Sequence, residues 1–202
     1  MPAANFPSIE PAQATVFPVT PVQINRTLSG RETRDIVTSQ YFELVYQFSP
    51  LDSSERRQIA GHIANANGAF QSFYVKLPTG LDDVSGAAAG TITVDSSPPA
   101  GAVAVAYSAP SAQSQVVFKA GDIIQFDNHG KLYEVTADTT SDGSGDGTVA
   151  FWPPLRTPLT SGTDEINYSN INALVRYKSD MSYEVRNDSF ATFTLEFIEV
   201  FE

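Results

Sequence analysis

The stretch YFELVYQFSPLDSSERRQIAGHIANANGAFQSFYVKL, residues 41–77, decides the fold, because it changes period twice. In residues 41–48, Phe42, Leu44, Tyr46 and Phe48 fall on one parity and Glu43 and Gln47 on the other, the pattern of a half-buried β-strand. Pro50 is expected to stop that strand. Asp52 is placed to cap a helix, with Glu55 three residues on as its capping-box partner. Ile59, Ile63 and Ala66 then recur at helical spacing, and Asn67-Gly68 offers a left-handed exit. Phe73, Val75 and Leu77 alternate with Tyr74 and Lys76 as a second strand. The stretch describes one helix packed on a sheet and names no chemistry.

Outward from it, the chain reads as β-structure. Its 202 residues are 42% hydrophobic and only 17% charged, rich in Thr, Val, Tyr and Phe, with 13 Gly and 13 Pro to make turns. Residues 1–21 carry five prolines, which exclude a helix or a central strand. They are read as an extended N-terminal arm, either a disordered end or an arm ordered against a neighbouring subunit. Residues 22–37 read as a hairpin turning near Ser29-Gly30, with Arg26, Arg31 and Arg34 alternating with Thr and Glu. That is either a solvated ribbon or one reaching across a subunit interface, where Arg is favoured.

After residue 79 the texture changes. Residues 80–115 are small and soft, with short strand candidates at 91–94 and 103–107, and residues 116–155 are denser. Strands at 123–126 and 132–136 flank Asp127-Asn128-His129-Gly130, good hairpin chemistry. Long strands return at 173–178 and 192–197, with a further short one proposed at 181–185 and a turn at Asn187-Asp188. In the last, the apolar phase slips at Ile198, which predicts a bulge there or a strand whose two ends face different partners. It matches 41–48 in texture and is expected in the same sheet. Residues 80–170 carry net charge −8, the remainder −3. The expected organisation is therefore a core β domain from 22–79 plus 171–202, with its helix at about 53–67, and an inserted, acidic, small β-barrel-like module at 80–170. The fold class is mainly β with one α-helix.

Composition excludes several functions. A net charge of −11 gives no basic face for phosphates, so direct nucleic-acid readout is not expected. Without cysteine there are no disulfides or thiolate metal sites. The N-terminus lacks the charged and apolar regions of a signal peptide, and no apolar run is long enough to insert in a membrane. His62 in the helix and His129 at a hairpin tip show no arrangement with acid and nucleophile. Asp82-Asp83 and Asp164-Glu165 lie in loop-like sequence, against a glycosidase pair. The loop at 138–147 lacks the spacing of a calcium loop and reads as a flexible acidic hairpin loop. Trp152 is read as core of the small module, with a sugar platform, hence a glycan contact, as the other reading. No cofactor, metal or enzyme activity is expected.

One resemblance is carried by specific segments. They are Tyr46-Gln47-Phe48, "LDSSE" at 51–55 with Ile59 and Ile63, "GAFQSFYVKLP" at 68–78, "KAGDIIQF" at 119–126, "KLYEVT" at 131–136, "FWPPLR" at 151–156 and "FTLEFIE" at 193–199. Together these resemble tailed-phage tail-tip structural proteins of the distal tail and minor tail protein kind. The resemblance implies that the core domain is β-sandwich-like with a helix, in a non-enzymatic virion protein of the tail tip or baseplate, made in the host cytoplasm. It implies a homo-oligomeric ring, expected to be hexameric, joining the tail tube to the hub and to receptor-binding proteins. Arg26, Arg31, Arg34, Arg56 and Arg57 are the candidate subunit-interface residues. The other readings are a glycan- or receptor-binding module at 80–170 and a capsid decoration or head–tail joining protein.

Overall fold

A computed structural model describes residues 5–36, 38–179, 184–185 and 191–201. The chain is mainly β, with one helix among the described residues. The first sheet is antiparallel, ordered β1 (Gln13–Val19), β4 (Tyr41–Leu51), β16 (Ala191–Glu199), β14 (Asn172–Tyr177), β5 (Phe73–Lys76), with β15 (Glu184–Val185) pairing β16. The strands at 41–48 and 192–197 are direct neighbours, Phe197 opposite Leu44 and Leu195 opposite Tyr46. Of the strand proposed at 181–185, residues 181–183 lie outside the described residues, as does the turn at 187–188.

The inward parity of this sheet makes one aromatic-rich core, with Phe42, Tyr46, Phe48, Phe73, Tyr177, Phe193 and Phe197 all buried. Helix α1 (Ser53–Asn65) covers it through Ile59 and Ala66. The capping box forms: the Asp52 carboxylate accepts from the Ser54 and Glu55 amides, and Glu55 accepts from the Asp52 amide. Asn67 and Gly68 leave the helix with positive φ, where Gly and Asn are least strained.

Two expectations fail here for backbone reasons. Pro50 does not end its strand: β4 runs on to Leu51, which pairs Ala191. Between Phe48 and Leu51, Ser49 and Pro50 together oppose the single Thr192, so the proline sits in a bulge, where its missing N–H is tolerated. At Ile198 there is no bulge: Ile198 opposes Glu43 in register and the buried parity runs on to Glu199. Nor is the arm detached from its own chain. Its second half is β1, an edge strand along β4, the place a sheet admits proline. Its first half turns Phe6 among Phe48, His62, Phe73 and Phe197, with the Phe6 amide on the Tyr74 carbonyl (2.9 Å).

The second sheet is ordered β13 (Ile166–Asn167), β9 (Ile123–Phe126), β10 (Leu132–Val135), β12 (Asp146–Trp152), β7 (Ala104–Ser108), β6 (Thr93–Val94). A bridge between Thr93 and Glu165 brings its two edges together, so it is a nearly closed barrel. β8 (Val116–Phe118) and β11 (Thr139–Thr140) pair separately. Every residue of β9 is buried. Ile124 and Phe126 face the barrel interior, while Ile123, with Leu132 of β10, joins the core of the first sheet. The barrel wall is thereby the second layer of a sandwich.

Two segments read as soft or flexible are pinned. A Cβ on Gly86 would lie 2.0 Å from the Val117 carbonyl oxygen, so glycine there permits a close backbone approach, and the Ala87 amide donates to Val116 (2.8 Å). In the 138–147 loop, Asp142 accepts from the Ser144 (2.7 Å) and Asp146 (3.0 Å) amides, which hold its carboxyl below the ordinary range.

Candidate functional site

The hairpin between β1 and β4 is a separate ribbon, β2 (Val22–Arg26) against β3 (Glu32–Ile36), pairing with no other strand among the described residues. Residues opposed in an antiparallel pair share a face. Val22 with Ile36, Ile24 with Arg34 and Arg26 with Glu32 therefore make one face, and Gln23 with Asp35 and Asn25 with Thr33 the other. The first face is apolar at its base and charged toward the tip, where Glu32 is flanked by Arg26 (3.0 Å) and Arg34 (2.6 Å). Val22, Ile24 and Ile36 are about half exposed, and Leu28 at the tip is fully exposed.

The five arginines singled out from sequence are not brought together. Arg26, Arg31 and Arg34 lie on the ribbon, before the start of β4; Arg56 and Arg57 lie on α1, after its end. Eleven residues of strand separate the groups, roughly 30 Å of extended chain. Arg57 is exposed, whereas Arg56 is half-buried with its Nε lacking a hydrogen-bond partner.

At the base of the ribbon the barrel meets the first sheet, and here sequence reasoning missed two residues. Lys131 of the β9–β10 hairpin and Glu199 of β16 form an ion pair (3.1 Å) with side chains 4% and 0% exposed. Glu199 also accepts the Leu132 amide (2.7 Å) and the Phe42 amide (3.1 Å), and Lys131 donates to the Gln40 carbonyl (3.0 Å). One carboxylate thus ties β4, β16 and β10. Burial pushes Glu199 up and Lys131 down, while three donors on the carboxylate favour its charged form. The sequence signal was parity: Glu199 continues the buried row Phe193, Leu195, Phe197.

Trp152 is also at this seam and not in the barrel's own core. Its ring stands edge-on to Phe42, centroids 5.1 Å apart, and it packs against the core of the first sheet.

The two histidines are each bound to a tyrosine. His62 Nδ1 meets the Tyr177 hydroxyl at 2.9 Å. The Tyr133 hydroxyl accepts the Arg156 amide (3.1 Å), leaving its proton for His129 Nε2 (2.7 Å). His129 Nδ1 then donates to Asn128 Oδ1, whose Nδ2 donates to Pro158 O and Asp164. Burial, with the Lys131 charge nearby, lowers His129 to about 4. The unfolded imidazole protonates near pH 6.5, so between these values the unfolded state binds more protons, and stability falls as pH drops through the window. From pH 7.5 to 5.0 the loss is expected to be about 2 kcal/mol. Urea midpoints at each pH, compared with His129→Gln, check it: the variant should lack this slope, and parallel curves would refute the assignment.

Among the described residues, no group of three or more His, Asp or Glu could hold a metal ion, and no helix is long and apolar enough to cross a membrane. Neither a family model nor a curated protein matches the chain.

Proposed function

We propose that this chain is a structural subunit of a phage tail tip or baseplate, acting by self-association into a ring that joins the tail tube to the hub and host-binding parts. The observation that supports this reading most is the ribbon. A lone two-stranded hairpin is marginal in water, and none of the described residues of this one is buried. It gains a core only when its Val22–Ile24–Ile36 face and Leu28 are covered by another surface. A ribbon on one subunit meeting a different surface on the next is a heterologous contact, which closes into a ring when the rotation permits. The resemblance of segments 46–78 and 119–156 to tail-tip proteins supplies the particle and the expected six-fold symmetry.

The test is light scattering and electron microscopy across concentration, alone and with tail partners. The wild type should assemble into rings. Ile24→Asp with Leu28→Asp should remain monomeric while moving Tm by no more than about 2 °C, because both side chains are already exposed in the single chain. A wild type that stays monomeric at high concentration with tail partners present refutes the reading.

A further inference from the structure

We infer that the seam beside the ribbon carries a cationic trough that binds an acidic peptide in extended form. The site does not rest on the ring reading, although Ile36 at its rim also lies on the ribbon face which that reading covers, and four observations carry it.

The first is space. A cleft of about 330 Å³ lies among Thr38, Ser39, Lys131, Pro153 and Arg156. A second, of about 420 Å³, continues on the far side of Thr38 and Ser39 toward Tyr41, Arg176 and Phe201.

The second is charge. Acids outnumber bases 23 to 12 in this chain, yet among the described residues the first cleft has no acid in its lining. Among them the one acid lining the second is Glu199, buried and already engaged by Lys131 and two amides. Arg156 and Arg176 have no ion-pair partner among the described residues, as is also true of Arg31, Arg56, Arg57 and Lys119 away from the clefts, whereas Arg26, Arg34, Lys76 and Lys131 each have one and Lys178 has two.

The third is pre-organisation. The Arg156 guanidinium lies 4.5 Å from the centre of the Phe201 ring and donates from Nη1 to the Ser39 hydroxyl (3.0 Å). Lys131 lies against the same ring at 4.3 Å. Arg176 is held by its bond to the Tyr177 carbonyl (3.1 Å). Arginines fixed in this way lose little side-chain freedom when a carboxylate arrives.

The fourth is the backbone between the clefts. Thr38 and Ser39 belong to no strand, and their amides donate to nothing among the described residues. Free backbone amides can donate to an added peptide, and pockets on either side take alternate side chains, while the Ser39 and Gln40 carbonyls are already engaged by the Thr38 hydroxyl and Lys131. The linings combine the arginines with apolar groups, Pro153, Leu155 and Ile36 on one side and Ile198, Val200 and Phe201 on the other. This suits a peptide alternating carboxylates with apolar residues better than a free anion.

The probe is a fluorescein-labelled eight-residue peptide alternating Glu and Val, titrated by anisotropy into the full chain, with a Gln–Val peptide as counterpart and inorganic phosphate as competitor. The wild type should bind the Glu peptide and not the Gln peptide. Arg156→Gln with Arg176→Gln should weaken binding by about tenfold or more, the scale for loss of charge-assisted hydrogen bonds. Arg31→Gln, on the ribbon, should leave it unchanged, and circular dichroism melting should show the double variant folded. If the double variant loses its fold, Arg156→Lys, which keeps the charge but not the fork, should still weaken binding at least threefold. The proposal is overturned by absence of binding to the wild type, by equal binding of the Gln peptide, by equal affinity in the arginine variants, or by displacement with equimolar phosphate.

Discussion

Replacing Glu199 with alanine is expected to cost about 3–5 kcal/mol of folding stability, the range for breaking a buried ion pair from one side. The effect is large because three donors lose their acceptor at once: the Lys131 ammonium and the amides of Leu132 and Phe42. None can turn to water, since Lys131 is 4% exposed and Phe42 and Leu132 are buried. Glu199→Gln keeps the shape and one acceptor oxygen, so it is expected to cost less. Lys131→Met removes the charge that needs the carboxylate and leaves Glu199 held by two amides. Combined with Glu199→Gln it should recover much of the single-variant loss, because neither buried site then carries a charge to desolvate. Urea denaturation of the four proteins gives the coupling directly. A cost below about 1 kcal/mol for Glu199→Ala would mean that the seam opens to water in solution, which the geometry of this pair does not allow. The same pair fixes how the barrel sits on the first sheet, and so the position of the trough relative to the ribbon.

What sequence revealed and what it hid follow from the range of the forces involved. Alternation made the strands at 41–48 and 192–197 visible, because each buries one parity in the same core. The capping box was visible because its partners are three residues apart. The ribbon was visible from turn chemistry, but that its apolar face is uncovered is a property of three dimensions. β1 was hidden by its prolines, which bar a central strand but not an edge one. The glycines and alanines at 86–90 looked like a linker because small residues serve equally well for flexibility and for close backbone approach; only the nearness of Val117 to Gly86 decides between them. Lys131 and Glu199 are 68 residues apart, beyond any local pattern. Even so, an acid on a buried parity was a readable hint that it had a partner. Trp152 was assigned to the wrong core because its strand alternates toward two of them.

The aromatic core of the first sheet should be the other most sensitive place, and Phe73 its centre. Phe73 is fully buried. Its ring lies 4.6 Å from His62, 4.8 Å from Tyr177, 5.9 Å from Phe197 and 6.4 Å from Phe6. Phe73→Ala removes a ring that four neighbours on α1, β14, β16 and the arm cannot all follow inward, and is expected to cost about 3–5 kcal/mol. Phe70→Ala, three residues earlier and 83% exposed, should move stability by less than about 0.5 kcal/mol. Phe6→Ala separates docking of the arm from integrity of the core. Phe6 shares the neighbours His62 and Phe197 and also meets Phe48 and Phe73, but its segment is only partly buried, so about 1–2 kcal/mol is expected, near the transfer free energy of a partly buried ring. Equal costs for Phe6 and Phe73 would make the arm as integral as the strands. No cost for Phe6 would mean that the arm leaves its nest in the isolated chain, freeing an aromatic surface for the corresponding arm of a neighbouring copy.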